Sequence, residues 1–193
     1  MFDGSLPEVG QLAGLPDVAL VDALSGWAAA SAAADARRLA VVAELVTRRM
    51  WDPEHADWMA DDWDAVAAEI GAALNVSPRR AGGDMELALS LRDRLPRVAA
   101  AFEAGTVSVR SVTTISRRSE LVRDPEALAA LDAALAERIS TYGPLSQRKR
   151  EAAVDVWVTA VDPDAVRRTS SGARGREVIV GSPDDRDGIT GVF

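Results

Sequence analysis

Apolar residues recur along most of this chain at the three- and four-residue spacing of helices, and alternate at period two only near its end. From Pro16 to Met50 no proline intervenes and Gly26 is the single glycine. Val18, Val21, Ala23-Leu24, Trp27, Leu39, Val42-Ala43 and Val46 supply the apolar positions, predicting one long amphipathic helix or two in line. The small residues of Ala28–Ala34 allow another helix to approach closely, within the chain or across a homodimer seam. Trp51–Asp64 then crowds three tryptophans and six acids into fourteen residues and reads as a loop pinned by its indoles.

Beyond it, Val66, Ile70 and Leu74 lie at i, i+4 and i+8 on a helix Asp64–Leu74. Asn75 suits the left-handed turn that ends a helix, Ser77 suits an N-cap, and Pro78 suits a first helical position. A second helix is predicted from Pro78 to about Leu95, with Ala81, Met85, Ala88 and Leu95 inward. Helix, three-residue turn and capped helix together make a helix-turn-helix candidate. The arrangement repeats in a short helix Pro96–Ala104 ended by Gly105, followed by a helix capped by Ser108.

After Asp124-Pro125 an alanine- and leucine-rich helix extends to about Thr141, and Ser146 caps another running to about Ala160. A last helical piece begins at Asp162-Pro163, and Thr169–Gly175 reads as a flexible linker. Glu177–Val180 and Ile189–Phe193 are expected to pair as a short hairpin that the parent protein continues. The expected class is therefore mainly α: a helical bundle with tandem helix-turn-helix-like pairs and a C-terminal β-hairpin. Its expected parts are 1–63 (long helix and acidic loop), 64–168 (helical domain) and 176–193 (start of a hairpin).

Charge changes the picture because it is uneven. The chain carries a net −8, yet residues 1–75 hold 13 acids against 4 arginines, whereas 76–123 hold 9 arginines against 5 acids. A polyanion would meet the second part first. Arg79 and Arg80 follow the Ser77 cap, and Arg148-Lys149-Arg150 follow the Ser146 cap. Cations there oppose the positive helix end by about 0.3–1 kcal/mol each, a preference that a bound phosphate would reverse. With Arg110, Arg117 and Arg118 these residues form the predicted set of DNA phosphate contacts. Base readout by the helix starting at Pro78 is a further possibility that Gly82-Gly83 weaken, at about 1 kcal/mol per glycine relative to alanine.

Catalytic chemistry finds little to use. Cysteine is absent and His55 is the sole histidine, which removes thiolate nucleophiles, Ser-His-Asp triads and the usual zinc sites. No glycine-rich loop ends in Gly-Lys-Ser/Thr. A carboxylate site for a hard cation from Asp57, Asp61 and Asp62 with His55 is conceivable but needs convergence that spacing does not supply. No enzyme activity, metal or cofactor is expected. The absence of cysteine, of a signal peptide and of any apolar run near the ~20 residues of a membrane span makes a cytoplasmic location the expectation, with no membrane partner.

Five motifs in order, Ala68–Pro78, Leu95–Ser108, Asp124–Ala127, Leu145-Ser146 and Val161–Asp164, resemble the actinobacterial 13E12-repeat family, also called domain of unknown function 222. Gly82-Gly83 depart from the alanine- and arginine-rich helix start usual in that family. The resemblance implies a parent with a downstream HNH nuclease module, and hence a DNA-binding or DNA-positioning role for this part. The nuclease histidines have no counterpart here. A protein-interaction or dimerisation scaffold built on the long helix, or a transcriptional regulator, is the competing expectation.

Overall fold

Prolines and short polar caps set the helix starts. In the computed structural model, which describes residues 6–50, 59–139 and 145–163, a 3-10 turn Val9–Gly14 precedes seven helices. These are α1 (Asp17–Met50), α2 (Met59–Leu74), α3 (Pro78–Asp93), α4 (Pro96–Glu103), α5 (Val109–Ser119), α6 (Pro125–Arg138) and α7 (Gln147–Val161). Ser77, Ser108, Asp124 and Ser146 each accept a hydrogen bond from a backbone amide three residues on, at 3.3, 3.3, 2.8 and 3.4 Å. Each satisfies one of the amides a helix leaves without an internal partner.

The expected tandem pairing is present. Asn75 adopts the left-handed conformation (φ 54°), and the Val76 amide donates back to the Gly71 carbonyl at 2.9 Å. Gly105 does the same after α4 (φ 76°), with the Thr106 amide on the Ala101 carbonyl at 3.1 Å. Both six-to-one bonds close the helix and turn the chain toward a serine-capped successor. In α3, Ala81, Met85 and Ala88 face inward as expected, and Leu95 is buried just beyond it.

One core runs from α1 to α7: Leu39 and Val46 of α1, Ile70, Met85, Phe102, Ile115, Leu131 and Val154 belong to a single buried cluster. α1 packs across α2, α3 and α4, while α6 and α7 close the other side on α4 and α5. Arg138 lies over the Trp157 ring at 5.4 Å, joining α6 to α7. The alanine tract of α1 is used within the chain. Ala32 and Ala33 are buried, and a Cβ on Gly105 would stand 2.5 Å from the Ala29 carbonyl oxygen.

Two expectations change. α2 starts at Met59, inside the segment read as a loop to Asp64; early acidic positions such as Asp62 suit the positive helix end. Val18, Val21, Leu24 and Trp27, read as part of the inward face of the long helix, are exposed, because the bundle covers α1 only from about its alanine tract onward. α3 runs without a break through Gly82-Gly83. The hairpin of 177–193, the linker of 169–175 and His55 and Asp57 of the conceivable cation site lie outside the described residues, among which there is no strand.

Candidate nucleic-acid interface

α3, α5 and α7 each begin with a serine cap, carry basic residues in or beside the first turn, and have no acid there. The fold brings these three starts together. A cleft of about 540 Å³ is lined by Arg80 from α3, by Val109, Arg110, Thr113, Thr114, Arg117 and Arg118 from α5, and by Gln147 and Glu151 from α7. An adjoining cleft of about 390 Å³ shares Arg80, Val109, Thr113 and Arg117, and adds Arg79, Gly83 and Glu86. Arg79, Arg80, Arg110 and Arg117 thus stand on one continuous, exposed surface.

Each remaining basic residue of the predicted set has its own placement. Arg118 is tied to Asp155 of α7, Nε to Oδ1 at 2.6 Å with a second bond between Nη2 and Oδ2, so its charge is already opposed. Arg150 folds back over its own helix start, donating to Gln147 Oε1 at 3.0 Å and to the Leu145 carbonyl at 3.2 Å. Arg148 and Lys149 are exposed on the same turn but line neither cleft.

Behind the basic surface, Asp84 is buried between two arginines: Arg38 Nη1 of α1 at 2.8 Å and Arg80 Nε at 3.3 Å. The Arg38 guanidinium titrates higher than usual, since its bonds to Asp84 and Asp35 outweigh the opposing effect of partial burial. Asp84 therefore restrains Arg80 without cancelling the other three arginines. Ser116 of α5 donates to Ser90 of α3 at 2.8 Å, fixing the two helices that form the walls.

Gln147 and Thr114 were not singled out by sequence. Gln147 Nε2 donates to Glu151 Oε1 at 2.7 Å and to the buried Thr114 hydroxyl at 3.3 Å, bringing the α7 start against α5. Only the shared serine-cap pattern hinted at this meeting point. Gly82 and Gly83 have room for a side chain: the nearest atom to a Cβ on Gly82 is Trp63 Nε1 at 3.8 Å, and nothing lies within 4 Å for Gly83. Among the described residues no cluster of three or more His, Cys, Asp or Glu is placed to hold a metal ion, and no helix is long and apolar enough to cross a membrane.

Residues 27–192 match the family model described as Domain of unknown function (DUF222). Among similar proteins are three from Mycobacterium tuberculosis, each aligned over all of this chain. An uncharacterized protein in the est 3′ region is 48% identical, with 55% of its length covered. The uncharacterized proteins Rv3776 and Rv2100 are 48% and 47% identical, with 37% and 35% of their lengths covered. The chain thus spans about half or less of these relatives. No solved structure matches.

Proposed function

The chain belongs to the family described as domain of unknown function 222, and from that premise we propose that it is a non-catalytic module that grips the phosphate backbone of duplex DNA. The observation that carries this reading is the gathering of Arg80 and Arg110, from two serine-capped helix starts, with Arg117 at one cleft that a third serine-capped start borders through Gln147. Folding alone disfavours the cations at the helix starts, by about 0.3–1 kcal/mol each, whereas an anion seated among the amides and guanidiniums there offsets that cost; Arg117, in the last turn of α5, carries no such penalty. Arg79, Arg80, Arg110 and Arg117 are the phosphate contacts, Arg148 and Lys149 flank them, Arg118 ties the middle of α7 to α5, and Arg150 braces the α7 start.

Duplex is favoured over single strands because no aromatic side chain lines either cleft, and single-strand binding draws much of its energy from bases stacked on aromatics. The negative charge of the rest of the chain confines attraction to this face. In a parent that carries the HNH module implied by the resemblance, the module would position the duplex for cutting.

A salt titration of fluorescence anisotropy with a mixed-sequence duplex tests this. Three to four phosphates neutralised would give a slope of log affinity on log salt of about −3. The paired change Arg110→Ala, Arg117→Ala should weaken binding across all sequences by more than Arg148→Ala, Lys149→Ala does. Undetectable binding at low salt, or affinity indifferent to salt, would end the proposal.

A further inference from the structure

The first third of α1 extends past the bundle with an apolar face that, among the described residues, the 3-10 turn partly covers. Leu20, Ala23, Leu24 and Trp27 stand at i, i+3, i+4 and i+7, the spacing of one helix face, and with Val9 and Leu12 they line an open groove of about 650 Å³. Leu24 is 72% exposed and Trp27 49% exposed. The groove is a defined feature of the fold. Leu6 packs onto α1 where Gly26 leaves space, a Cβ there standing 2.4 Å from Leu6 Cδ2, and the Glu8 amide bonds Gln11 Oε1 at 2.8 Å to shape the turn.

Charge says what suits it. From Leu6 to Ala36 the chain carries Glu8, Asp17, Asp22 and Asp35 and no lysine, arginine or histidine. Asp35 is engaged by Arg38, while Glu8, Asp17 and Asp22 have no cation beside them among the described residues. A groove with apolar walls and Glu8 in its lining, on a stretch of chain that carries four acids and no basic residue, fits an amphipathic helix with apolar anchors one turn apart and flanking Arg or Lys. The negative charge of this stretch disfavours anionic bilayers, which attract helices with basic polar faces, and sets like charges near each other when two copies pair through this groove.

We infer that the groove between the 3-10 turn and the start of α1 is a docking site for a basic amphipathic helix of a partner protein. It lies on a different surface from the proposed DNA-contacting cleft and does not depend on that assignment.

The test uses the full chain and a labelled synthetic helix carrying leucines at i, i+3, i+4 and i+7 with arginines on its flanks, against the same peptide with glutamates replacing the arginines. Anisotropy should show the arginine peptide binding at least about tenfold tighter. Leu24→Glu, at an exposed position, should leave helicity unchanged by circular dichroism and lower affinity by about tenfold or more. Arg110→Ala, Arg117→Ala should leave it unchanged, separating this site from the cleft. Equal binding of the two peptides, or none below about 100 µM, would overturn the inference. So would a dimer seen by light scattering that Leu24→Glu dissolves, or co-sedimentation with phosphatidylserine vesicles that Leu24→Glu abolishes.

Discussion

Arg118 of α5 and Asp155 of α7 form a two-point ion pair across the wall of the basic cleft, with Nε to Oδ1 at 2.6 Å. Each side chain is only about a quarter exposed, so the pair is better shielded from solvent than an ordinary surface bridge. Its work is to hold α7 against α5. Asp155→Ala discriminates the roles of Arg118: freeing a phosphate-contacting arginine would tighten DNA binding, whereas a positioning arginine predicts weaker binding. We expect weaker binding with a stability loss of about 1–2 kcal/mol, read from anisotropy and urea unfolding of the same variant.

Asp132 gives the largest expected loss from a single side chain. Buried on α6, it accepts the Arg97 and Val98 amides at 2.9 Å each, capping α4 from outside because Leu95 offers no capping side chain. Asp132→Ala leaves the buried Val98 amide and the partly buried Arg97 amide without this partner and should cost about 2–4 kcal/mol in urea unfolding. Asp132→Asn, retaining one acceptor, should cost less.

Two glycines should respond with opposite signs. Gly105→Ala introduces a Cβ at a positive φ and against the Ala29 carbonyl, and is expected to lose about 2 kcal/mol or more. Gly83→Ala meets open space in a helix interior and should gain about 0.5–1 kcal/mol. If the α3 backbone lies close against DNA, the same Gly83 change will lower affinity while raising the melting temperature.

Acid should loosen the tie between α1 and α3. Arg92 donates to the Ala43 carbonyl at 3.1 Å and to the Thr47 hydroxyl, and is itself held by Asp93 at 2.7 Å. Hydrogen bonds from Arg92 keep the Asp93 carboxyl below the usual carboxylate range, with burial acting the other way to a lesser degree. A depressed folded value means that the stabilisation is present above the unfolded pKa and is lost as pH falls through the folded one. Asp93 is half exposed, so the contribution should stay under about 1 kcal/mol, and Asp93→Asn should flatten the acid limb of a stability profile.

Local signals carried most of the fold. Asn75, Ser77 and Pro78 encode their turn within four residues, and Gly105 with Ser108 encode the second, because capping is decided by neighbours in sequence. The start of α2 escaped prediction since tryptophans and acids suit either a loop or a helix start. Exposure of Leu24 and Trp27 was equally out of reach: periodicity identifies an apolar face but not whether anything covers it. At the cleft, individual basic turns were legible and their meeting was not. The pairing of Arg118 with Asp155 joins residues 37 apart in sequence, and only packing reveals it.

α1 also acts as a ruler. Trp27 borders the apolar groove, and eleven residues later Arg38 reaches Asp84 behind the basic surface, an axial span of about 16 Å along one unbroken helix. Occupants of the groove and of the cleft would be held at a fixed separation with no hinge between them. If the cleft binds duplex as proposed, a partner seated in the groove would experience a high local concentration of that duplex, and the length of one helix would set how far along it the partner can reach.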